Sequence, residues 1–367
     1  MLNQLLYALL AVSTLSSAQP LGPAHRHHQH LERREAEAMG NAVADVQTVV
    51  VTVYASSNPT TLQTSYLTSS SEVVAAATNV AASTSSAAAS GSVSASSSST
   101  YSAGSVEYYA GQGKGITYSP YTDSGSCKSE SVIASDIQLL SDFDIIRVYA
   151  PDCSCVTAIM GSMGSSQTLF AGVYYMASID ADIATLATQV EASSQGWDGI
   201  YAVAIGNEWV NGGEYSASEV ASAVTQGRSA LTAQGYSGKV VTVDTLVAYE
   251  NNPDLCTASD FVAANSHAYW DGNCEPSNAG PWLQEQIASV KSACGGSKDV
   301  LICETGWPTQ GSTYGSLGVP SVSNQLAAIK SISETVASQV IFFTTYNDYW
   351  KDAGTYGVEK YWGIFSQ

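Results

Sequence analysis

A regular alternation of short apolar segments and longer amphipathic segments begins near residue 113 and constrains the fold more than any other feature. The short segments are rich in β-branched and aromatic residues, as expected for strands that are buried on both faces of a sheet. Eight such strands are predicted, at residues 115–121, 145–150, 168–175, 201–208, 239–246, 261–269, 299–307 and 340–348.

Helical patterns lie between these strands, at residues 178–194, 216–233, 280–293 and 321–338. Ser216 followed by Glu219 resembles a capping box, which marks the start of a helix. Eight strands and their connections over about 250 residues suit a (β/α)8 TIM barrel, which we predict for residues 113–367. An open, doubly wound sheet is the alternative, but no Gly-x-Gly-x-x-Gly turn follows the first strand to support it.

Two of the predicted strands carry a glutamate near their carboxyl ends. Glu208 ends the fourth strand and Glu304 lies at the end of the seventh. In a TIM barrel these strand ends form the active-site face, and glycoside hydrolysis needs two carboxylates. Two salt-bridged structural carboxylates are the alternative. The sequence favours catalysis by this pair, which requires no metal ion and no organic cofactor, so we expect neither.

Aromatic residues near the strand ends are candidate sugar platforms, because the C–H faces of pyranose rings pack on flat rings. The candidates are Tyr269, Trp270, Trp307, Trp350 and Trp362. Aromatic residues are also common in protein cores, so a packing role is the alternative for each of them. His267, at the end of the sixth predicted strand, is expected either to line the cleft or to serve as a structural histidine.

The N-terminal third of the chain has the composition of a secretory leader and a linker. Residues 1–18 are predicted as a signal peptide, since their apolar run is too short to span a bilayer and is followed by small residues. The dibasic Arg33-Arg34 resembles a processing site, which would make residues 19–38 a pro-peptide; a charged, solvated turn is the alternative. Residues 39–112 are predicted as a disordered, O-glycosylated linker rich in Ser, Thr and Ala.

The charge balance limits the partners of the protein. The chain has 13 basic and 32 acidic residues, for a formal net charge of −19. Such an acidic protein is a poor partner for nucleic acid and for anionic membrane surfaces, whereas a neutral polysaccharide remains compatible. Residues 361–367 lack the polar spacer and apolar tail of a lipid-anchor signal, so we expect no membrane anchor. We expect a secreted, wall-associated monomer.

All seven cysteines follow residue 120, and in a secreted chain disulfides are the default. Cys256 precedes the sixth predicted strand and Cys294 precedes the seventh. Both should therefore lie at the bottom of the barrel, where we predict a disulfide between them; a pair of buried thiols is the alternative. At the opposite end, Cys127 is placed to pair with Cys153 or Cys155.

Five motifs in order carry a resemblance to a known family. They are Gly-Ile-Thr-Tyr-Ser-Pro-Tyr at 115–121, Ile-Arg-Val-Tyr at 146–149, Gly-Asn-Glu at 206–208, Glu-Thr-Gly-Trp-Pro at 304–308 and Val-Glu-Lys-Tyr-Trp-Gly at 358–363. On these motifs, the region from residue 115 to the C-terminus resembles glycoside hydrolase family 17. This family contains β-1,3-glucanases and β-1,3-glucan transferases, and the similarity is strongest to its fungal cell-wall members.

The resemblance implies a role for individual residues. It assigns Glu208 as the general acid/base and Glu304 as the nucleophile of a retaining mechanism. The further matches are Asn207 as a contact of the sugar 2-hydroxyl, Tyr118 as an aromatic residue at the floor of the site, and Lys351 and Glu359 as supporting residues. Asp348 lies where many members of the family have Glu, so its hydrogen bonding should differ.

The resemblance implies an endo-β-1,3-glucanase that acts on β-glucan of the cell wall. One alternative is a glucanosyltransferase that remodels the same polymer with the same carboxylates. The other is a wall mannoprotein or adhesin whose barrel binds glucan without turnover. The presence of both Glu208 and Glu304 argues against a protein that only binds, because binding alone has no need of the pair.

Overall fold

The computed structural model describes residues 101–366, so the predicted signal peptide, the pro-peptide and most of the linker lie outside the described residues. Eight parallel strands pair in chain order, and the last pairs with the first to close a barrel. The strands are β1 Gly115–Thr117, β2 Ile145–Arg147, β3 Thr168–Val173, β4 Ile200–Asn207, β5 Lys239–Thr245, β6 Val262–Asn265, β7 Val300–Thr305 and β8 Val340–Phe342. The predicted TIM barrel is confirmed, and the open sheet is excluded.

One helix precedes β1, and the other helices connect successive strands and pack around the barrel. They are α1 Val106–Ala110, α2 Glu130–Leu139, α3 Cys155–Met160, α4 Ile179–Glu191, α5 Ala217–Ala233, α6 Leu246–Asn251, α7 Pro253–Ala258, α8 Ala279–Ala293 and α9 Val322–Val336. Ser216 caps α5 and forms a reciprocal capping box with Glu219, as the sequence predicted. None of the helices within residues 101–366 combines the length and the apolar character required to cross a bilayer.

The strands are buried on both faces because the barrel has two apolar layers. Every residue of β7 is buried, and the side chains alternate between the barrel interior and the layer beneath the helices. Phe170, Val241 and Leu301 belong to the inner cluster, whereas Leu169, Val240 and Ile302 belong to the outer one. Apolar residues at successive strand positions therefore specify this fold rather than a half-exposed sheet.

The predicted end of the linker differs from the structure. The composition places residues 101–112 in the linker, yet α1 lies within them and packs against α9. Val106 and Ala110 are buried, and Ser105 caps the helix by accepting a hydrogen bond from the Tyr108 amide. Val106, Tyr109 and Ala110 recur at helical spacing and supply an apolar face, which the composition of the surrounding segment conceals. The folded domain therefore begins before Ser105.

Two disulfides lie at opposite ends of the barrel. The structure joins Cys256 to Cys294, the pair that the sequence indicated, with their Cα atoms 5.5 Å apart. Cys127 is joined to Cys153, with a Cα separation of 5.3 Å, and Cys155 is a buried thiol. The Cys256–Cys294 bond lies before β6 and β7, whereas the Cys127–Cys153 bond links the loops that leave β1 and β2 at the catalytic end.

Candidate active site

The chain leaves β4 in an unusual conformation that presents Glu208. Gly206 has φ of +87°, and a Cβ atom there would come within 2.5 Å of the Trp209 ring, so only glycine fits. Glu208 itself has φ of +56°, in the left-handed region that non-glycine residues rarely adopt. The following turn is held by Asp244, whose carboxylate accepts the amides of Val210 and Asn211 at 2.9 and 3.1 Å. Backbone strain at a buried acidic residue is typical of a functional site.

Glu208 lies among amides rather than cations. Its Oε1 accepts a hydrogen bond of 2.6 Å from Asn265 Nδ2, and its Oε2 accepts one of 3.3 Å from Asn211 Nδ2. Burial and the negative charge of Glu304 raise the pKa of Glu208 to about 8, although the Asn265 bond opposes the shift. The carboxyl group is therefore protonated at neutral pH and can act as an acid.

Glu304 has the opposite environment. Its Oε1 accepts hydrogen bonds from Arg147 at 2.9 Å and from the Tyr149 hydroxyl at 2.7 Å, and His267 Nε2 lies 3.7 Å from Oε2. Burial alone would raise the pKa of Glu304, but the Arg147 charge, followed by His267 and Tyr149, lowers it to about 2. The side chain is thus a carboxylate throughout the physiological range.

Arg147 connects the two strand ends. Its Nη1 also donates to the Cys303 carbonyl at 2.8 Å, and its Nη2 donates to Asn207 Oδ1 at 2.8 Å. Asn207 Oδ1 accepts a further bond of 3.3 Å from Asn265. Because Arg147 and Asn265 both donate to Oδ1 of Asn207, the amide orientation is fixed, and Nδ2 is the atom that can donate to a ligand.

Two further acidic residues, Asp348 and Glu359, lie beside this centre. Asp348 accepts a bond of 3.0 Å from the Trp350 indole and forms an ion pair of 3.1 Å with Lys351. Lys351 also lies 4.9 Å from the Phe343 ring centre. Burial raises the pKa of Glu359 to about 7, with the Lys351 charge opposing the shift and the Glu304 charge adding to it. These residues therefore form the part of the site contributed by the C-terminal loops.

Three residues that were predicted to contact the sugar are buried in the core. Tyr118, Tyr269 and Trp307 are each 0% exposed and belong to the apolar layer beneath the helices. Their polar atoms bond Asp136, the Ser312 carbonyl and the Val319 carbonyl, respectively. The prediction that they contact a sugar does not fit this burial: they support the loops from below. Asn207, His267, Asp348 and Lys351 do lie at the catalytic end.

Four residues of the site were not predicted as functional residues from sequence. Arg147, Tyr149, Asn211 and Asn265 bond the two glutamates directly. Arg147 and Tyr149 stand in one of the family motifs, and alternation from the inward-facing Ile145 would have placed both in the barrel interior. Asn211 and Asn265 had no such signal.

The catalytic end opens into two unequal spaces. The wider one is a cleft that is lined by Glu208, His267 and Trp270, among others. The narrower one is bounded by Tyr149, Trp350 and Lys351. A TIM barrel with one protonated and one ionised glutamate on the ends of β4 and β7, at the edge of a polar and aromatic cleft, defines the glycoside hydrolase class.

Comparison with known proteins identifies the family. Residues 115–363 match the model of the BtgE/BtgC glycoside hydrolase domain, so the chain belongs to this family. The predicted membership of glycoside hydrolase family 17 is confirmed. The probable family 17 glucosidase SCW10 of Saccharomyces cerevisiae is 53% identical over 69% of this chain and 64% of its own length. The cell surface mannoprotein MP65 of Candida albicans is 52% identical over 70% of this chain and 68% of its own.

The chain thus spans about two thirds of the length of these relatives, and only 46% of the probable β-glucosidase btgE of Aspergillus terreus, to which it is 37% identical. Among solved structures, the family 17 β-1,3-glucanosyltransferase from Rhizomucor miehei aligns over 70% of this chain and 93% of its own. The TM-score is 0.59 at 21% sequence identity, which shows a common fold.

Proposed function

We propose that this protein is a retaining glycoside hydrolase, of the glucan β-1,3-glucosidase type, that cleaves β-1,3-glucan of the fungal cell wall at internal linkages. The observation that carries the proposal is the contrast between two buried glutamates: amide groups bond Glu208, whereas Arg147 and Tyr149 bond Glu304. A pKa of about 8 makes Glu208 an acid and a pKa of about 2 makes Glu304 a nucleophile. The β-1,3-glucan substrate is supported by the family 17 motifs and by relatives named family 17 glucosidases.

The reaction proceeds in two steps. The Glu304 carboxylate attacks the anomeric carbon, and the bond to the leaving oxygen breaks as that oxygen takes the proton of Glu208. The product is a glycosyl ester on Glu304 and a free glucan end. Glu208, now a carboxylate, then removes a proton from water or from a sugar hydroxyl, which attacks the same carbon and releases Glu304. Protons balance over the cycle.

The neighbouring residues orient this chemistry. Asn207 offers Nδ2 as a donor, which suits the 2-hydroxyl of the sugar attached to Glu304, because its carbonyl oxygen is held by Arg147 and Asn265. Tyr149 and Arg147 hold one oxygen of Glu304, which leaves Oε2 as the attacking atom beside His267. Trp270, in the wall of the wider cleft, is the best placed of the predicted aromatic platforms.

Two alternatives share the barrel. A glucanosyltransferase would use the same pair of glutamates and differ only in whether water or a glucan hydroxyl accepts the glycosyl group. A wall protein that binds glucan without turnover would not need one glutamate with a raised pKa beside another with a lowered pKa. The site therefore favours an enzyme. The relative named as a cell surface mannoprotein gives this last alternative its support.

Product analysis on linear β-1,3-glucan oligosaccharides distinguishes these functions. Shorter products indicate hydrolysis, longer products indicate transfer, and an unchanged substrate would overturn the proposal. The anomer first released, followed by proton NMR, should be β, as retention requires. Glu304→Gln and Glu208→Gln should each remove nearly all turnover, whereas the control Glu334→Gln, on the exposed face of α9, should not. A folded Glu304→Gln protein with normal turnover would contradict the assigned roles.

We also propose that the protein is secreted and resides in the cell wall. The N-terminal sequence features and the relative named as a surface mannoprotein support this location. Mass spectrometry of secreted material should detect no peptide from residues 1–34 and should find hexose on residues 55–105. Recovery of an intact Arg33-Arg34 in the mature protein would contradict the proposed processing.

A further inference from the structure

The two spaces at the catalytic end lie beside different glutamates. Glu208 lines the wider cleft, whereas Tyr149, which bonds Glu304, lines the narrower pocket. In the proposed reaction, Glu208 protonates the leaving oxygen and later activates the acceptor. The leaving or accepting strand must therefore lie on the side of Glu208, in the wider cleft.

This cleft continues beyond the catalytic centre to a groove between α6 and α8. Val247 of α6 and Trp282 of α8 line it, together with Glu250 and Gln286, each about one helical turn further along its helix. Val247 is 62% exposed, so its methyl groups are accessible to a ligand in the groove. Trp282 is partly buried, with its ring against the core. An apolar surface flanked by polar groups thus extends outward from Glu208.

We propose that this α6–α8 groove, formed by Val247, Glu250, Trp282 and Gln286, is a distal acceptor site for a linear β-glucan strand. The proposal rests on the proposed function. It places a glucosyl unit beyond the one that contacts Glu208 against the Trp282 ring and the Val247 methyl groups. Its occupant is a glucan because the groove is continuous with the cleft at Glu208, and a strand entering there is directed along it.

The polar residues of the groove are suited to sugar hydroxyls. Glu250 Oε1 accepts a hydrogen bond of 2.5 Å from Ser289 on α8, which holds the carboxylate between the two helices with its other oxygen as an acceptor. Gln286 offers both a donor and an acceptor. A flat aromatic surface with a few polar groups is the usual composition of a small-molecule site. The groove therefore binds a neutral glucan strand by its shape and by hydrogen bonds to the sugar hydroxyls, and not by attraction between opposite charges.

The consequence is a dependence on chain length. A strand long enough to reach the groove gains contacts that shorter strands cannot make, both as a leaving group and as an acceptor that competes with water. Truncation of a tryptophan that packs on a ligand lowers affinity by on the order of tenfold. Trp282→Ala should therefore lower kcat/KM by about tenfold for long oligosaccharides, and leave the shortest cleaved substrate unaffected.

The test measures kcat/KM of the full chain on linear β-1,3-gluco-oligosaccharides of increasing length, for the wild type, Trp282→Ala and Trp282→Phe. The phenylalanine variant should recover most of the length dependence, because it restores a flat ring. Val247→Ala should weaken it in part, whereas Val322→Ala, which removes the same atoms from an exposed valine of α9, should not. Melting temperatures establish that each variant is folded.

The outcomes separate the acceptor groove from the function on which it rests. A uniform loss at every length, or an unchanged profile in a folded Trp282→Ala protein, would overturn the groove and leave the catalytic assignment intact. If the variant were unfolded, the comparison of Val247→Ala with Val322→Ala would decide instead. Wild-type protein that cleaves or transfers none of the series would overturn the proposed function, and the groove with it.

Discussion

Replacing Arg147 with methionine removes the buried cation that holds Glu304 and Asn207. Arg147 is 2% exposed and lies 2.9 Å from the Glu304 carboxylate, so the pair is shielded from solvent and from salt. Methionine has a similar reach and no charge. The substitution therefore tests the electrostatics of the site with little change in packed volume.

The magnitude follows from the pKa of Glu304, which falls from 4.5 to about 2 in the folded protein. This net shift corresponds to about 3 kcal/mol; burial opposes it, and Arg147 is the largest of the causes that favour it. Removing one partner of a buried pair costs about 3–5 kcal/mol, so we expect the lower end of that range. Because the folded pKa is depressed, this stability is present above pH 4.5 and is lost as the pH falls through about 2. Arg147→Met should be less stable by about 3 kcal/mol near neutral pH, with a difference that shrinks in acid.

Urea unfolding across a pH series measures this difference, and Arg228→Met is the control. Arg228 bonds Asp260 at 2.8 Å, but both side chains are more than a third exposed, so its loss should cost at most about 1 kcal/mol. Arg147→Lys keeps the charge but cannot bond Glu304 and Asn207 together, so it should retain more stability yet lose turnover. Equal losses for Arg147→Met and Arg228→Met, or a loss that does not shrink in acid, would refute the reasoning.

Two further substitutions test the rest of the site and the barrel. Asn265→Ala removes the hydrogen bond that lowers the pKa of Glu208, which is about 8 in the wild type. The basic limb of the pH–rate profile should therefore move to higher pH in this variant. Movement toward lower pH would contradict this role of Asn265. Cys256→Ser opens a disulfide that spans 38 residues and should lower the free energy of unfolding by about 3–4 kcal/mol, while turnover of the folded enzyme persists. An unchanged urea midpoint would show that the Cys256–Cys294 bond does not stabilise the barrel.

The barrel was predictable because its strands are apolar on both faces. The catalytic pair was predictable because both glutamates lie at the carboxyl ends of such strands. The predicted strands are nevertheless too long: β1 ends at Thr117 rather than at residue 121, and β8 ends at Phe342 rather than at residue 348. The residues beyond these ends keep the composition of strands but form loops at the catalytic end. Propensity cannot separate the two, because the loops are themselves buried.

The orientation of side chains at the strand ends was less predictable. Leu301 and Cys303 face the interior, so strict alternation would turn Glu304 outward. The pairing of β6 with β7 shifts at this point, where Ala264 pairs with Ile302 but Asn265 pairs with Glu304. A similar shift precedes Asn207 in β4. Such bulges re-aim side chains at active sites, and the sequence carries no local signal for them.

The coupling between the two glutamates explains how one residue can serve as acid and then as base. After burial, the charge of Glu304 is the largest cause of the raised pKa of Glu208. Formation of the glycosyl ester neutralises Glu304, so the pKa of Glu208 should fall just as its proton has been donated, and the resulting carboxylate is then stable enough to act as a base. Glu304→Gln imitates the uncharged ester. In this variant, a carbon-13 NMR titration should find the pKa of Glu208 below about 8 but above 4.5, because burial persists. The control Glu334→Gln should leave it unchanged. A pKa of Glu208 equal in Glu304→Gln and in wild type would mean that burial alone sets it, and the exchange of roles would then need another cause.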